Sequence, residues 1–276
     1  MAVAFAVFGG ASGQLNNAVA RAATVSSGTP GYKIQMRIEM SSPVLNVPFT
    51  ASGTGVMDLR DRAASMSIAI DFSQLPQAAQ VLGSTTMQLG MVMEGTVLYM
   101  KFPDALAAKV PSLGGKPWVK MDLGKLIGVP GLSSLTSNPT MGDPSQMLQY
   151  LRAASDSVAN VGGEQVDGVE TTHYRAEFSL DRLPDNLPSE DQAAIRKALS
   201  ALQQATGLQD FPMDVWIDAH HLVRRMVMSV GFHTPSGPAL NETITEDLTD
   251  YGPQPRPTPP PADQVQDVSG LVGGLG

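Results

Sequence analysis

Cysteine is absent from the 276-residue sequence. That excludes disulfides, thiolate zinc sites, iron–sulfur clusters and a cysteine nucleophile. It does not fix the redox compartment, because a chain that is 42% hydrophobic has material for a core without cross-links. Positive charge is scarce as well: 18 Lys and Arg stand against 26 Asp and Glu, for a net charge of −8. No basic run reaches five residues, so a nucleic-acid backbone has no electrostatic footprint to bind. Aromatic residues supply only 5% of the chain, against 15 methionines. The apolar surface is therefore mostly aliphatic and thioether, a composition that adapts to irregular neighbours.

Long hydrophobic runs are missing too. The apolar stretch from Ala2 to Phe8 falls far short of the ~20 residues that span a bilayer. Followed by GGASG, it reads as the end of a signal-peptide apolar region without its positively charged start, or as a short terminal helix.

Catalytic motifs are equally scarce. There is no Gly-x-Ser-x-Gly elbow, no Ser-x-x-Lys and no phosphate-binding loop. Gly53-Thr54-Gly55 lacks the third glycine and the following helix of a dinucleotide fingerprint. Adjacent His220 and His221 would point to opposite sides of a strand, and no His-x₃-His spacing exists, so a metal site is not expected. The stretch VDGVETTHYRAEF (166–178) places His173, Arg175 and Glu177 at alternate positions. On a strand these share one face, with Thr172, Tyr174, Ala176 and Phe178 on the other. That pattern reads as the wet face of a β-strand rather than a catalytic row. No enzyme, cofactor or metal is expected.

What is present in quantity is period-two text. Tyr32, Ile34, Met36, Ile38 and Met40 alternate with Lys33, Gln35, Arg37 and Glu39, the pattern of a half-buried strand. Met66, Ile68, Ile70 and Phe72 form a second stripe, and Met87, Leu89, Met91 and Met93 a third. Gly53 and Gly55 mark a bend or a close approach in the strand before. Asp167-Gly168 and Glu94-Gly95 are hairpin turn signals. Helices are predicted over 14–28, over 103–110 and over 181–207, the last from Ser189 with a capping-box pattern. Between 122 and 154 the text becomes apolar and broken by Gly and Pro, with a helix start at Asp143-Pro144. About ten or eleven strands arriving as hairpins predict an α+β antiparallel sheet. One domain over 14–251 is expected, preceded by an apolar remnant at 1–13 and followed by a Pro-rich tail at 252–276.

The stretches NNAVARAA, VDGVETTHYRAEFSLDRL, DVWIDAHHLVRRMVMSV and PPADQVQDVS resemble the actinobacterial envelope lipoproteins of the LprG/LppX type, within the LolA-like superfamily. The likeness runs from about Asn16 to Ser269 and rests on structural phrases without chemistry. It implies a strongly curved antiparallel half-barrel with helices across its concave face and a hydrophobic cavity between. It also implies export to the cell envelope and the carriage of lipid or acylated molecules. By position, Ile34, Met36, Ile38, Met66, Ile68, Ile70, Leu89, Met91, Met93, Met226, Met228 and Val230 would line that cavity. Leu126, Ile127, Leu132, Met147, Leu148 and Leu151 would form its lid. Expected partners are the lipid and a membrane surface or envelope transport protein, with the protein a monomer. The chain departs from the family at Ala11, where a lipobox cysteine would stand, so anchoring by lipidation is not implied. The competing reading is the same fold with a filled core, acting as a scaffold or sensor.

Overall fold

The computed structural model describes residues 11–43, 49–107, 114–122, 158–182, 189–208, 210–233 and 238–269. Helix α1 (Ala11–Ser27) leads into β1 (Gly31–Ser41), and β2 (Phe49–Asp58) and β3 (Ala63–Asp71) follow as a hairpin. A short α2 (Pro76–Leu82) precedes β4 (Thr86–Glu94) and β5 (Val97–Lys101); then come α3 (Asp104–Ala107) and β6 (Trp118–Asp122). The second half holds β7 (Val158–Val166), β8 (Val169–Phe178), α4 (Ser189–Thr206), β9 (Phe211–Asp218), β10 (Val223–His233) and β11 (Ala239–Thr249). The chain closes with β12 (Val265–Asp267).

All twelve strands form one sheet in the order β12-β6-β5-β4-β3-β2-β1-β11-β10-β9-β8-β7. Its ends do not join, so it is an open sheet and not a barrel. Ten neighbouring pairs are antiparallel, as the hairpin-rich sequence predicts. The eleventh, β12 on β6, is parallel and extends the sheet by one strand beyond the expected number. The turns follow the sequence signals. Asp167 (φ 50°) and Gly168 (φ 78°) are both left-handed between the paired Val166 and Val169, the geometry that makes Asp-Gly a hairpin turn.

β12 is reached by a strap that begins where β11 ends. Arg256 on this strap donates to Glu94 Oε1 (2.6 Å) in the β4–β5 turn and lies 3.7 Å from Asp61 in the β2–β3 turn. Pro257 is buried between these anchors and β12. Beyond it Lys116 donates to the Val265 carbonyl (2.9 Å), and the Ser269 hydroxyl accepts from the Asp122 amide (2.9 Å). The Pro-rich stretch, expected as an extended tail, thus crosses one end of the β2–β5 hairpins before completing the sheet. Hydrogen bonding from Ser269, with Lys120 adding its charge, holds the Asp267 carboxyl down at about 2.

The main core gathers on one face at the β7–β11 side of the sheet. Val19, Ala22 and Ala23 of α1 pack there against Tyr32, Ile34, Val215, Ile217, Val223 and Leu248. Small residues on the helix let its axis come close to the strands. The join is tied by polar bonds: the buried Ser26 hydroxyl accepts from the Val223 amide (3.2 Å), and Tyr251 donates to the Val223 carbonyl (2.6 Å). Leu199 of α4 packs at the margin of the same cluster. A satellite cluster of Ala107 and Val119, with Phe102 and Val268, lies near the other edge.

Candidate functional site

Antiparallel partners share a face, so the strand registers turn the sequence stripes into a surface. One row crosses the sheet as Met91, Met66, Gly55, Ile34, Leu248; the next runs Leu89, Ile68, Gly53, Met36, Glu246, Met226, Val215. A third runs Met87, Ile70, Ala51, Ile38, Ile244, Met228, Met213. Met93 lies opposite Ala64, and Val230 opposite Glu242. All twelve residues expected on a cavity wall therefore fall on one face, in register. The six expected in a lid, Leu126, Ile127, Leu132, Met147, Leu148 and Leu151, lie outside the described residues.

This face has two parts. Towards β7–β11 its centre is packed, with Ile34 3% exposed, Met226 1%, and Met213 and Leu248 0%, while Met228, Val230 and Ile244 further along β10 and β11 stay half-buried. Ile34 and Met226 are thus members of the packed cluster. Towards β2–β5 no large apolar residue of these rows is fully buried. Met36, Ile38, Ile68, Ile70, Leu89, Met91 and Met93 are each half-buried. The floor between β1 and β3 is low, because β2 presents Ala51, Gly53 and Gly55 to this face. At Gly53 a Cβ would stand 3.4 Å from the Met36 and Ile68 side chains, which close over the glycine from either side.

Glu246 interrupts this surface. It lies on β11 between Met36 and Met226, at the seam of the packed and half-covered parts. No charged or hydrogen-bonding partner is found for it among the described residues, and burial pushes its carboxyl up to about 7. Sequence reasoning passed over it, although Ile244, Glu246 and Leu248 alternate with Thr243, Thr245 and Asp247 in the same period as the apolar stripes.

The opposite face is polar but not uniformly wet, which corrects the reading of 173–177. His173 is only 9% exposed. Its ring stacks on Trp216 at 4.1 Å and 12°, and its Nε2 lies 2.6 Å from Asp214 Oδ1. Arg175 donates to both oxygens of Asp214 (2.8 and 3.1 Å), and Trp216 Nε1 donates to Glu164 Oε2 (2.5 Å). Glu164 Oε2 also stands 3.6 Å from His173 Nδ1. Both imidazole nitrogens therefore face carboxylates, and no hydroxyl side chain among the described residues is bonded to the ring. The arrangement braces β7, β8 and β9; it is not a nucleophile–base pair. Glu177 remains exposed, as expected of a wet face. His220 and His221 sit in the β9–β10 turn and not on a strand, with His221 at φ 62°. Asp218 organises that turn, accepting from the His220 and Leu222 amides (2.8 and 2.9 Å) and from Arg224 Nε (2.8 Å). No cluster of three or more His, Cys, Asp or Glu that could hold a metal ion occurs among the described residues. Nor is any described helix long and apolar enough to cross a membrane.

A one-sheet α+β protein with one apolar face and a helix packed over part of it is the class that this geometry defines. Among solved structures the chain is similar to LprF from Mycobacterium bovis (12% identity, 91% of this chain and 99% of that one, TM-score 0.48). It is similar to the Mycobacterium tuberculosis lipoprotein LppX (12% identity, 88% and 98%, TM-score 0.48). It is also similar to a LolA superfamily protein from Nitrosomonas europaea (8% identity, 88% and 94%, TM-score 0.30). At these identities no ligand or activity is transferred. No protein-family model matches the chain. A curated protein from Streptomyces griseus, an uncharacterized 31.2 kDa protein of the rplA-rplJ intergenic region, is 32% identical over 182 residues. That match covers 63% of this chain and 54% of the relative, so the chain spans about half the length of the curated protein it matches.

Proposed function

We propose that this is a non-enzymatic, exported protein of the cell envelope that binds lipid or acylated molecules on the apolar face of its sheet. The observation that carries the reading is the division of that face. One part is closed by α1 into a dry core, while its continuation over β2–β5 keeps a row of Met, Ile and Leu side chains half-buried. A filled-core scaffold would bury both parts alike. Methionine suits a wall that must fit hydrocarbon of varying shape, because its thioether chain is unbranched and polarizable. Over the glycine and alanine floor of β2 the Met36 and Ile68 side chains meet, and an acyl chain would lie across their half-buried outer surface.

Burying about ten methylenes at ~0.8 kcal/mol each yields roughly 8 kcal/mol, the whole of what micromolar affinity requires, so a ligand with a longer chain or more than one chain is needed to offset the costs of association as well. The apolar segment at 2–8 supports export, and the envelope is where such a carrier would meet its membrane or transport partner. The test is a polar substitution on the half-covered rows. Ile68→Gln and Met91→Gln should each weaken binding of a fluorescent fatty acid at least tenfold while leaving the circular dichroism unchanged. Unchanged affinity in both variants would remove the apolar rows from the binding site.

A further inference from the structure

An ionisable side chain on an apolar sheet face costs stability unless it is paired or neutral. Glu246 is on such a face, in register with Met36 on one side and Met226 on the other. Among the described residues its surroundings offer no charge to compensate it. On its own strand the same face carries Ile244, Leu248 and one further acid, Glu242. β1 contributes Met36, Ile38 and Met40, with the Tyr32 hydroxyl far along the strand, and β10 contributes Met226, Met228 and Val230. Arg21 of α1 is exposed. Arg225 and Asp247 pair with each other on the opposite face. A hydrocarbon wall needs no such group, and a leucine there would join Ile244 and Leu248 without cost.

Building on the lipid-binding reading, we infer that Glu246 is the polar anchor of the site, its carboxyl, when protonated, donating a hydrogen bond to an uncharged ester-bearing lipid such as an acylglycerol. The position fits that role. The carboxyl stands where the half-covered hydrocarbon rows meet the packed core, so chains lying over β2–β5 would bring their linkage to β11. A ligand that covers the carboxyl removes its remaining water and favours the protonated form, which is the form able to donate. An anionic headgroup would meet an ionisable acid there, with no cation beside it among the described residues, and is disfavoured.

Proton linkage then sets the pH response. The carboxyl titrates near 7, so ligand affinity is highest below that value and falls as the group ionises above it. The test uses the full chain, N-phenyl-1-naphthylamine as an uncharged fluorescent reporter of apolar binding, and 1,2-dioctanoylglycerol as competitor. Wild type should bind dioctanoylglycerol about tenfold more weakly at pH 8 than at pH 6, the ratio that a titration centred near 7 gives. Glu246→Gln, which donates at every pH, should match wild type at pH 6 and show no dependence on pH. Glu246→Leu should keep the reporter yet bind dioctanoylglycerol about tenfold more weakly than wild type at pH 6. Equal affinity of wild type at pH 6 and pH 8, or wild-type affinity in the leucine variant, would overturn the anchor while leaving the apolar site intact. If none of the three proteins binds reporter or acylglycerol, the lipid-binding reading fails and the anchor fails with it.

Discussion

Two side-chain groups hold opposite roles on the two faces of the sheet. On the polar face Asp214 is 9% exposed and accepts from His173 and from both arms of Arg175. A buried carboxylate with this many donors is strongly stabilised, and truncating it leaves His173 buried without that partner. Asp214→Ala should therefore cost about 2–4 kcal/mol in urea unfolding, whereas Glu177→Ala, exposed on the same strand pair, should fall within about 0.5 kcal/mol of wild type. On the apolar face Glu246 works against the fold. Its folded-state pKa, about 7, is raised above its ordinary value of 4.5. Between those values the folded protein binds more protons than the unfolded chain, so stability falls as pH rises through this window. Glu246→Gln should consequently add roughly 1–3 kcal/mol at pH 8, an allowance that discounts for partial exposure, and add almost nothing at pH 4. Denaturant titrations at the two pH values check both the sign and the window.

At the scale of elements, the strap and β12 close the β6 edge by long-range pairing. Arg256 is exposed and its ion pairs with Glu94 and Asp61 are surface pairs, so Arg256→Ala should cost less than about 1 kcal/mol. Removing residues from Gly252 onward should do more. The amides of β6 that face β12 lose their outer neighbour, and hydrogen exchange at Lys120 and Asp122 should rise while β9 and β10 stay protected. In β2 a Cβ on Gly55 would meet the Ser65 carbonyl oxygen at 2.3 Å. Gly55→Ala should cost about 1–3 kcal/mol through forced backbone movement, measurable as a lowered unfolding midpoint.

The same elements mark what could be read in advance. β1, β3 and β4 announced themselves because their alternation is clean, and their residues do share a face. The Asp167-Gly168 and Glu94-Gly95 turns were legible because positive φ selects for Gly and its neighbours. β12 was not legible: three residues in parallel pairing 147 positions from their partners carry no local period. The convergence of His173 and Arg175 on Asp214 was hidden for a related reason, since it depends on the β8–β9 register and not on spacing within one strand. Glu246 obeyed the period but broke the hydrophobic rule, and a search for apolar stripes skips such a residue.

For the whole molecule, the account rests on a single division of labour. One face of a twelve-stranded sheet is apolar from β4 to β9, and α1 closes only part of it. The closed part supplies a core, and the remainder supplies hydrocarbon surface facing a floor of small residues. Native mass spectrometry of the protein, produced with an export signal and measured before and after organic extraction, tests this most directly. The account predicts an extractable adduct of several hundred daltons whose fragments include acyl chains, and its return when the extracted protein is mixed with envelope lipids. A mass equal to that of the bare chain, unchanged by extraction and by incubation with those lipids, would contradict it and leave the half-covered rows as ordinary core.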